Sequence, residues 1–171
     1  MKKRNLCCLF LVVALATGLC GCGAKEQEKD TTGNIEVESS VSEKEENTTV
    51  GNQYLNAFKN SEQTEADPMV DELLNQIEVP YSLAKMEVSE GYLNGFDEEI
   101  TGFQKGVMFS PVIGTIPFVG YVFETYDADA LLSLLKEKAN PAWNVCTEAD
   151  ETVSTSREQL VFFLMCTNEN K

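Results

Sequence analysis

The sequence lacks histidine altogether, and basic residues are scarce: 13 Lys and Arg stand against 28 Asp and Glu, for a formal net charge of −15. Without histidine the chain has no Ser-His-Asp or Cys-His arrangement and no zinc site with an imidazole ligand. The negative charge repels phosphate backbones, which argues against nucleic-acid binding. The 171 residues suffice for one ordinary domain with tails.

The N-terminus has the organisation of a secretory signal. Lys2, Lys3 and Arg4 precede residues 6–19, which are uncharged and rich in Leu, Val, Ala, Cys and Phe. This is the basic start and apolar core of a signal peptide. The apolar run covers 14 residues, whereas a permanent membrane-spanning helix needs roughly 20. Residues 1–21 are therefore predicted to be a processed signal rather than a membrane helix.

The residues that follow, Leu19, Cys20, Gly21 and Cys22, resemble the lipobox of bacterial prolipoproteins. In that motif a branched apolar residue stands three positions before an invariant cysteine, and a small residue stands immediately before it. The resemblance implies cleavage before Cys22 and a diacylglyceryl group on its thiol. Cys20 fits less well, because the bulky Leu19 precedes it. We therefore expect a protein anchored by lipid at Cys22 on the extracytoplasmic face of the cell membrane.

Residues 22–66 are predicted to be the lipidated cysteine and a disordered acidic linker. The segment is rich in Glu, Ser, Thr, Asn, Gln and Lys, and such a composition buries too little apolar surface to offset chain entropy. Tyr54, Leu55, Ala57 and Phe58 allow a second interpretation, a transient helical turn or small docking motif. A solvated spacer is the favoured interpretation.

Residues 67–171 are predicted to form a small α+β domain. Asp67 and Pro68 are typical of a helix start, and Asp127 of a second one. Strands are predicted near residues 103–110, 118–126, 143–153 and 160–167, and residues 83–88 are predicted to be a short strand or an extended segment. Residues 106–123 carry no charge, but prolines and glycines recur in them, which favours a hairpin over a membrane helix. The expected fold is an antiparallel sheet of about four strands with two helices packed on it.

Four segments of this domain, "GYLNGFDEEI", "VFETYDADALLSLLKEKA", "WNVCTEADETV" and "VFFLMC", together with the lipobox and acidic linker, resemble clostridial-type lipoproteins that carry a domain of unknown function. The resemblance covers residues 68–167 and rests on a diffuse pattern, not on a catalytic signature. It implies surface display in a Gram-positive bacterium and supplies no chemistry.

Cys146 and Cys166 are the two cysteines of the predicted domain, and they leave two alternatives open. A hairpin centred on residue 156 would place them opposite each other, within disulfide range. The extracytoplasmic location permits oxidation. The other alternative is two buried free thiols, which are common in protein cores. Redox catalysis is disfavoured, because the chain has neither a CxxC motif nor a histidine to lower a thiol pKa.

Acidic residues offer a second candidate site. An oxygen-rich calcium site would draw on these carboxylates: Glu124, Asp127, Asp129, Glu148, Asp150 and Glu151. Calcium needs six to eight oxygens held by a shaped loop, and the chain has no DxDxDG pattern. Solvated and helix-capping carboxylates are the favoured interpretation, so neither a metal nor a cofactor is expected.

The predicted function is a non-enzymatic, lipid-anchored module that binds an unknown envelope protein or component. The membrane is contacted through the lipid at Cys22. The alternative is a small envelope enzyme or accessory subunit that uses its carboxylates with a divalent cation. Several aromatic residues would either line a ligand groove or belong to the core: Tyr92, Phe96, Phe103, Phe109, Tyr121 and Trp143.

Overall fold

The computed structural model describes residues 49–168. Three helices and seven strands follow in chain order: α1 Val50–Asn60, α2 Ala66–Gln76, β1 Leu83–Val88, β2 Gly91–Tyr92, β3 Glu99–Ile100, β4 Lys105–Pro111, β5 Val119–Glu124, α3 Ala128–Lys138, β6 Glu151–Arg157 and β7 Leu160–Cys166. The predicted α+β class is confirmed. The signal peptide, Cys22 and residues 23–48 of the predicted linker lie outside the described residues.

The main sheet is antiparallel throughout and has the strand order β1-β4-β5-β7-β6. It has five strands where about four were predicted, because the extended segment at residues 83–88 pairs with β4 along its whole length. Strands β2 and β3 form a separate two-stranded ribbon. Short loops join β4 to β5 and β6 to β7, as antiparallel neighbours allow.

Both faces of the sheet are covered, as the interior strand β7 shows. All seven of its residues are buried. Phe162 and Leu164 pack in one core with α1 and α2. Val161 and Phe163 pack on the opposite face in a second core with α3. Successive side chains of a strand point to opposite faces of the sheet. Because both faces of β7 are covered, all its side chains are apolar and its sequence is a continuous apolar run.

Helix α1 corrects the prediction of a disordered linker up to residue 66. Thr49 caps the helix by accepting a hydrogen bond from the Asn52 backbone N–H at 3.2 Å. Tyr54 and Phe58 lie one turn apart on one helical face and are fully buried against the sheet. The ring of Phe58 stacks on Phe162 with 5.2 Å between centroids. Residues 49–66 therefore belong to the folded domain, because two large aromatic side chains outweigh the polar average of the segment.

The chain between α1 and α2 is fastened to the edge strand β6 by a single arginine. The guanidinium of Arg157 donates hydrogen bonds to the carbonyl oxygens of Ser61 and Gln63. It also lies over the Phe58 ring, 5.7 Å from the centroid. This contact fixes the end of α1 and the path of the chain into α2.

Asp67 was predicted to cap α2, but the observed N-cap is Glu65, two residues earlier. The helix begins at Ala66, whose N–H donates to the carboxylate of Glu124 at 2.7 Å. A carboxylate at a helix N-terminus accepts an otherwise unpaired N–H and is favoured by the helix dipole. Helix α3 begins as predicted, with the Asp127 side chain accepting from the Ala130 N–H at 3.1 Å.

The uncharged segment at residues 106–123 forms the β4–β5 hairpin, as predicted. Among residues 49–168 no helix has the length and apolarity needed to cross a membrane. Phe109 faces Gly120 across the hairpin, and its ring occupies the space where a side chain on Gly120 would lie. The glycine is thus required by the close approach of the ring.

Replacing Gly120 by alanine should lower stability through this overlap. The added Cβ would force the Phe109 ring or the strand to move, which typically costs about 1 to 3 kcal/mol. Gly114→Ala is the matched control, because nothing lies within 4 Å of a Cβ at that position. Urea denaturation should show a lower midpoint for Gly120→Ala but not for Gly114→Ala. Equal midpoints for the two variants would contradict the close packing of the Phe109 ring on Gly120.

The second predicted hairpin is correct in that two strands pair, but its first strand was misplaced: β6 covers Glu151–Arg157 rather than residues 143–153. The hairpin was predicted to be centred on residue 156, whereas Arg157 pairs with Leu160 and the turn follows it. Glu158 occupies the left-handed region of the turn with a φ of 54°. The partner of Cys166 is therefore Glu151 rather than Cys146.

Candidate binding groove

A groove lies at one end of the main sheet, which we call the groove end. Because Val119 pairs with Met165 and Glu151 with Cys166, the β4–β5 loop and the start of β6 meet at this end. The groove has a volume of about 410 Å³, within the usual size range of small-ligand pockets. Its lining residues are Asn94, Ser110, Pro111, Gly114, Thr115, Ile116, Phe118, Val119, Trp143, Asn144, Val145 and Cys146.

The β4–β5 loop forms one wall and is fixed by an aromatic anchor. Phe118 is buried, and its ring makes edge contacts with Tyr54, Tyr81 and Phe109 at 5.7 to 5.9 Å between centroids. Its backbone N–H donates to the Ile116 carbonyl at 2.8 Å. The wall is therefore continuous with the core beneath α1 and α2.

The chain between α3 and β6 forms the other wall. Asn140 fixes its start, donating from its backbone N–H to the Gly95 carbonyl at 2.9 Å and from its side chain to Asp97 at 2.6 Å. Further along, the backbone N–H of Trp143 donates to the Asn140 carbonyl at 3.1 Å, and the backbone N–H of Ala149 donates to the Pro141 carbonyl at 2.9 Å. These bonds hold a long connection without regular secondary structure in one path.

Asn144 connects the two walls. Its side-chain amide donates to the Gly114 carbonyl at 3.5 Å, and its oxygen accepts from the Cys146 N–H at 3.3 Å. Half-buried Trp143 supplies aromatic surface beside it. The groove thus combines an indole face, amides, hydroxyls and aliphatic side chains.

Among residues 49–168, no charged side chain lines the groove, although the chain carries 28 acidic residues. An ionic ligand would find no partner for its charge there, and burying an unpaired charge is costly. A neutral ligand would find apolar contact together with hydrogen-bonding groups that fix its orientation. The lining therefore favours an uncharged ligand or an uncharged segment of a larger partner.

The structure does not bring the two predicted disulfide partners together. Cys146 is exposed in the groove wall, Cys166 is buried at the end of β7, and both are free. Neither of the two alternatives holds in full, because no disulfide forms and only one of the two free thiols is buried. The two cysteines do not meet because the hairpin register differs from the one that placed these positions opposite each other. Burial, and secondarily the carboxylate of Glu151, raises the pKa of the Cys166 thiol well above its ordinary value. The thiol is thus neutral and donates to Glu151 at 3.9 Å.

Within residues 49–168 no group of three or more Asp, Glu or Cys side chains is placed to hold a metal ion. Three of the six carboxylates considered for calcium instead serve helix N-termini. Glu124 accepts from α2 and Asp127 caps α3, as described above, and Glu151 serves α1. Oxygens of Glu151 accept hydrogen bonds from the Gly51 N–H at 3.0 Å and from the Thr49 hydroxyl at 2.7 Å.

Glu151→Gln should destabilise the domain by about 1 to 3 kcal/mol, because an amide NH₂ would replace one of two accepting oxygens. Exposed Glu148 in the same segment provides the control Glu148→Gln. Thermal unfolding followed by circular dichroism should show a melting temperature lowered by several degrees for Glu151→Gln alone. An unchanged value would mean that the carboxylate is dispensable for docking α1.

Of the six aromatic residues considered for a groove, Trp143 alone lines this one. Four belong to the core: Phe96, Phe103, Phe109 and Tyr121. Tyr92 is exposed in β2. The polar lining residues Asn94, Thr115 and Asn144 were missed, although residues 139–147 carry no charge. This second uncharged segment in an acidic chain is the sequence feature that could have indicated these lining residues.

Comparison with known proteins found no matching protein-family model, no matching curated protein and no matching solved structure.

Proposed function

We propose that this chain is a lipid-anchored, extracytoplasmic binding module that holds an uncharged ligand, or an uncharged segment of an envelope component, in the groove. The groove's charge-free lining is the observation that carries the binding part of this proposal. The basic start, apolar run and lipobox ending at Cys22 support the anchored location.

The fold suits a binding role. The groove walls are loops, but each is fixed to buried structure: one by Phe118 in the core, the other by the bonds of Asn140. Loops held on a rigid scaffold are the usual location of binding residues. Because the walls are already bridged by Asn144, little ordering would be required when a ligand enters.

Site-specific photocrosslinking in intact cells tests the binding role. A photoreactive phenylalanine analogue replaces Val145 at the groove in one variant and Tyr126, exposed at the other end of β5, in the matched control. Irradiation should produce a discrete adduct with the probe at Val145 and none at Tyr126. Absence of an adduct from Val145, or equal adducts from both positions, would contradict ligand binding in the groove.

A further inference from the structure

Three exposed aliphatic side chains stand beside the groove. Val112 and Ile113 in the β4–β5 loop are 67% and 68% exposed, and Val145 in the opposite wall is 99% exposed. Large aliphatic side chains grouped at the tips of neighbouring loops indicate contact with another apolar phase or surface.

The two loops that carry these aliphatic side chains are themselves uncharged. Residues 112–118 and 139–147 contain no charged side chain, although Glu78, Glu148, Asp150 and Glu151 also lie at the groove end. Anionic headgroups therefore exert no direct repulsion on the side chains of these two loops.

The chain also enters the domain at the groove end. Thr49 donates to the carboxylate of Glu151, the first residue of β6, at 2.7 Å. The covalent path back to Cys22 therefore starts beside the groove. A lipid anchor at Cys22 would hold the domain near the bilayer, so that even a weak apolar contact would be populated through its high effective concentration.

We infer that the groove end docks on the outer surface of the phospholipid bilayer, with Val112, Ile113 and Val145 entering the interfacial region. This inference rests on the lipid anchor of the proposed function. Aliphatic side chains gain free energy on leaving water, and tryptophan is favoured at membrane interfaces, where Trp143 would then lie. The groove opens beside the bilayer in this orientation, so its uncharged ligand is one found at the membrane surface.

Trp143 is the only tryptophan of the chain and reports directly on docking. The processed, acylated protein is reconstituted into vesicles of phosphatidylcholine and phosphatidylglycerol, with either normal or brominated acyl chains. Bromine quenches indole fluorescence at short range, so a docked domain should lose fluorescence in the brominated vesicles. Ile113→Asp should lower the ratio of docked to undocked protein about tenfold, because a charge would have to enter the interface. Tyr126→Asp places the same charge at the other end and should leave quenching unchanged.

Vesicle flotation, measured on the same samples, separates the two proposals. Protein that fails to float lacks the anchor, and both proposals are overturned. Protein that floats with equal Trp143 fluorescence in normal and brominated vesicles leaves the anchor intact and overturns docking. Circular dichroism checks that the Ile113→Asp variant and the parent are both folded. If they are, and if bromine quenches their fluorescence equally, docking through these loops is also overturned.

Discussion

A chain that starts at residue 67 should fail to fold, whereas one that starts at residue 48 should unfold cooperatively. The shorter chain lacks α1 and uncovers the part of the sheet face on which Tyr54 and Phe58 pack. The ring of Tyr54 lies 5.6 Å from that of Phe109 between centroids, and Phe58 stacks on Phe162. Losing one such buried aromatic side chain typically costs about 3 to 5 kcal/mol. Two such losses approach the whole stability of an ordinary domain, about 5 to 15 kcal/mol.

Urea denaturation followed by circular dichroism measures this effect in both chains. Phe58→Ala in the longer chain provides a graded version, expected to lower its free energy of unfolding by about 3 to 5 kcal/mol. Lys59→Ala is the control, since Lys59 is exposed on the same helix. A cooperative transition of the residue 67–171 chain at the midpoint of the longer chain would show that α1 is not part of the domain.

Cys22→Ala should move the protein out of the membrane fraction or leave an uncleaved precursor. Two long acyl chains bury many methylenes at about 0.8 kcal/mol each, well beyond the marginal binding of a single chain. Without the thiol, no thioether to the diacylglyceryl group can form. Cell fractionation and immunoblotting should show the variant in the soluble fraction, or at the higher mass of the precursor.

Cys20→Ala is the matched control for the anchor. Cys20 lies two residues away, but bulky Leu19 precedes it, whereas Gly21 precedes Cys22. The Cys20 variant should fractionate and migrate like the parent. The lipid-anchor proposal would be wrong if the Cys22 variant also behaved like the parent.

The elements of the domain were largely predictable, because their patterns are local. The start of α3 follows from Asp127, and the β4–β5 hairpin from an uncharged segment interrupted by proline and glycine. Helix α1 was missed because its apolar contribution is concentrated in Tyr54 and Phe58 within a polar segment. The average composition of that segment is polar, so it gave no indication of a helix. The spacing of the two aromatic residues, which places them on one helical face, was the relevant feature.

The β6–β7 register was not predictable from the cysteine positions. Apolar residues fill β7 continuously, so alternation in that strand does not distinguish one register from another. The turn at Glu158 sets the register instead. With the turn at this position, Glu151 rather than Cys146 lies opposite Cys166.

The groove itself depends on contacts between distant parts of the chain. Asn144 reaches the carbonyl of Gly114 only because the sheet order places the β4–β5 loop near the start of β6. No local pattern encodes that apposition. The two uncharged segments at residues 106–123 and 139–147 were visible in the sequence, but their position at the same end of the sheet required the fold.

The mass of the N-terminal peptide isolated from the membrane fraction tests the lipid anchor at Cys22 directly. We expect a peptide that begins at Cys22, lacks residues 1–21 and carries the mass of a diacylglyceryl group on that cysteine. A peptide that retains Met1, or one in which Cys22 has a free thiol, would contradict the lipid anchor.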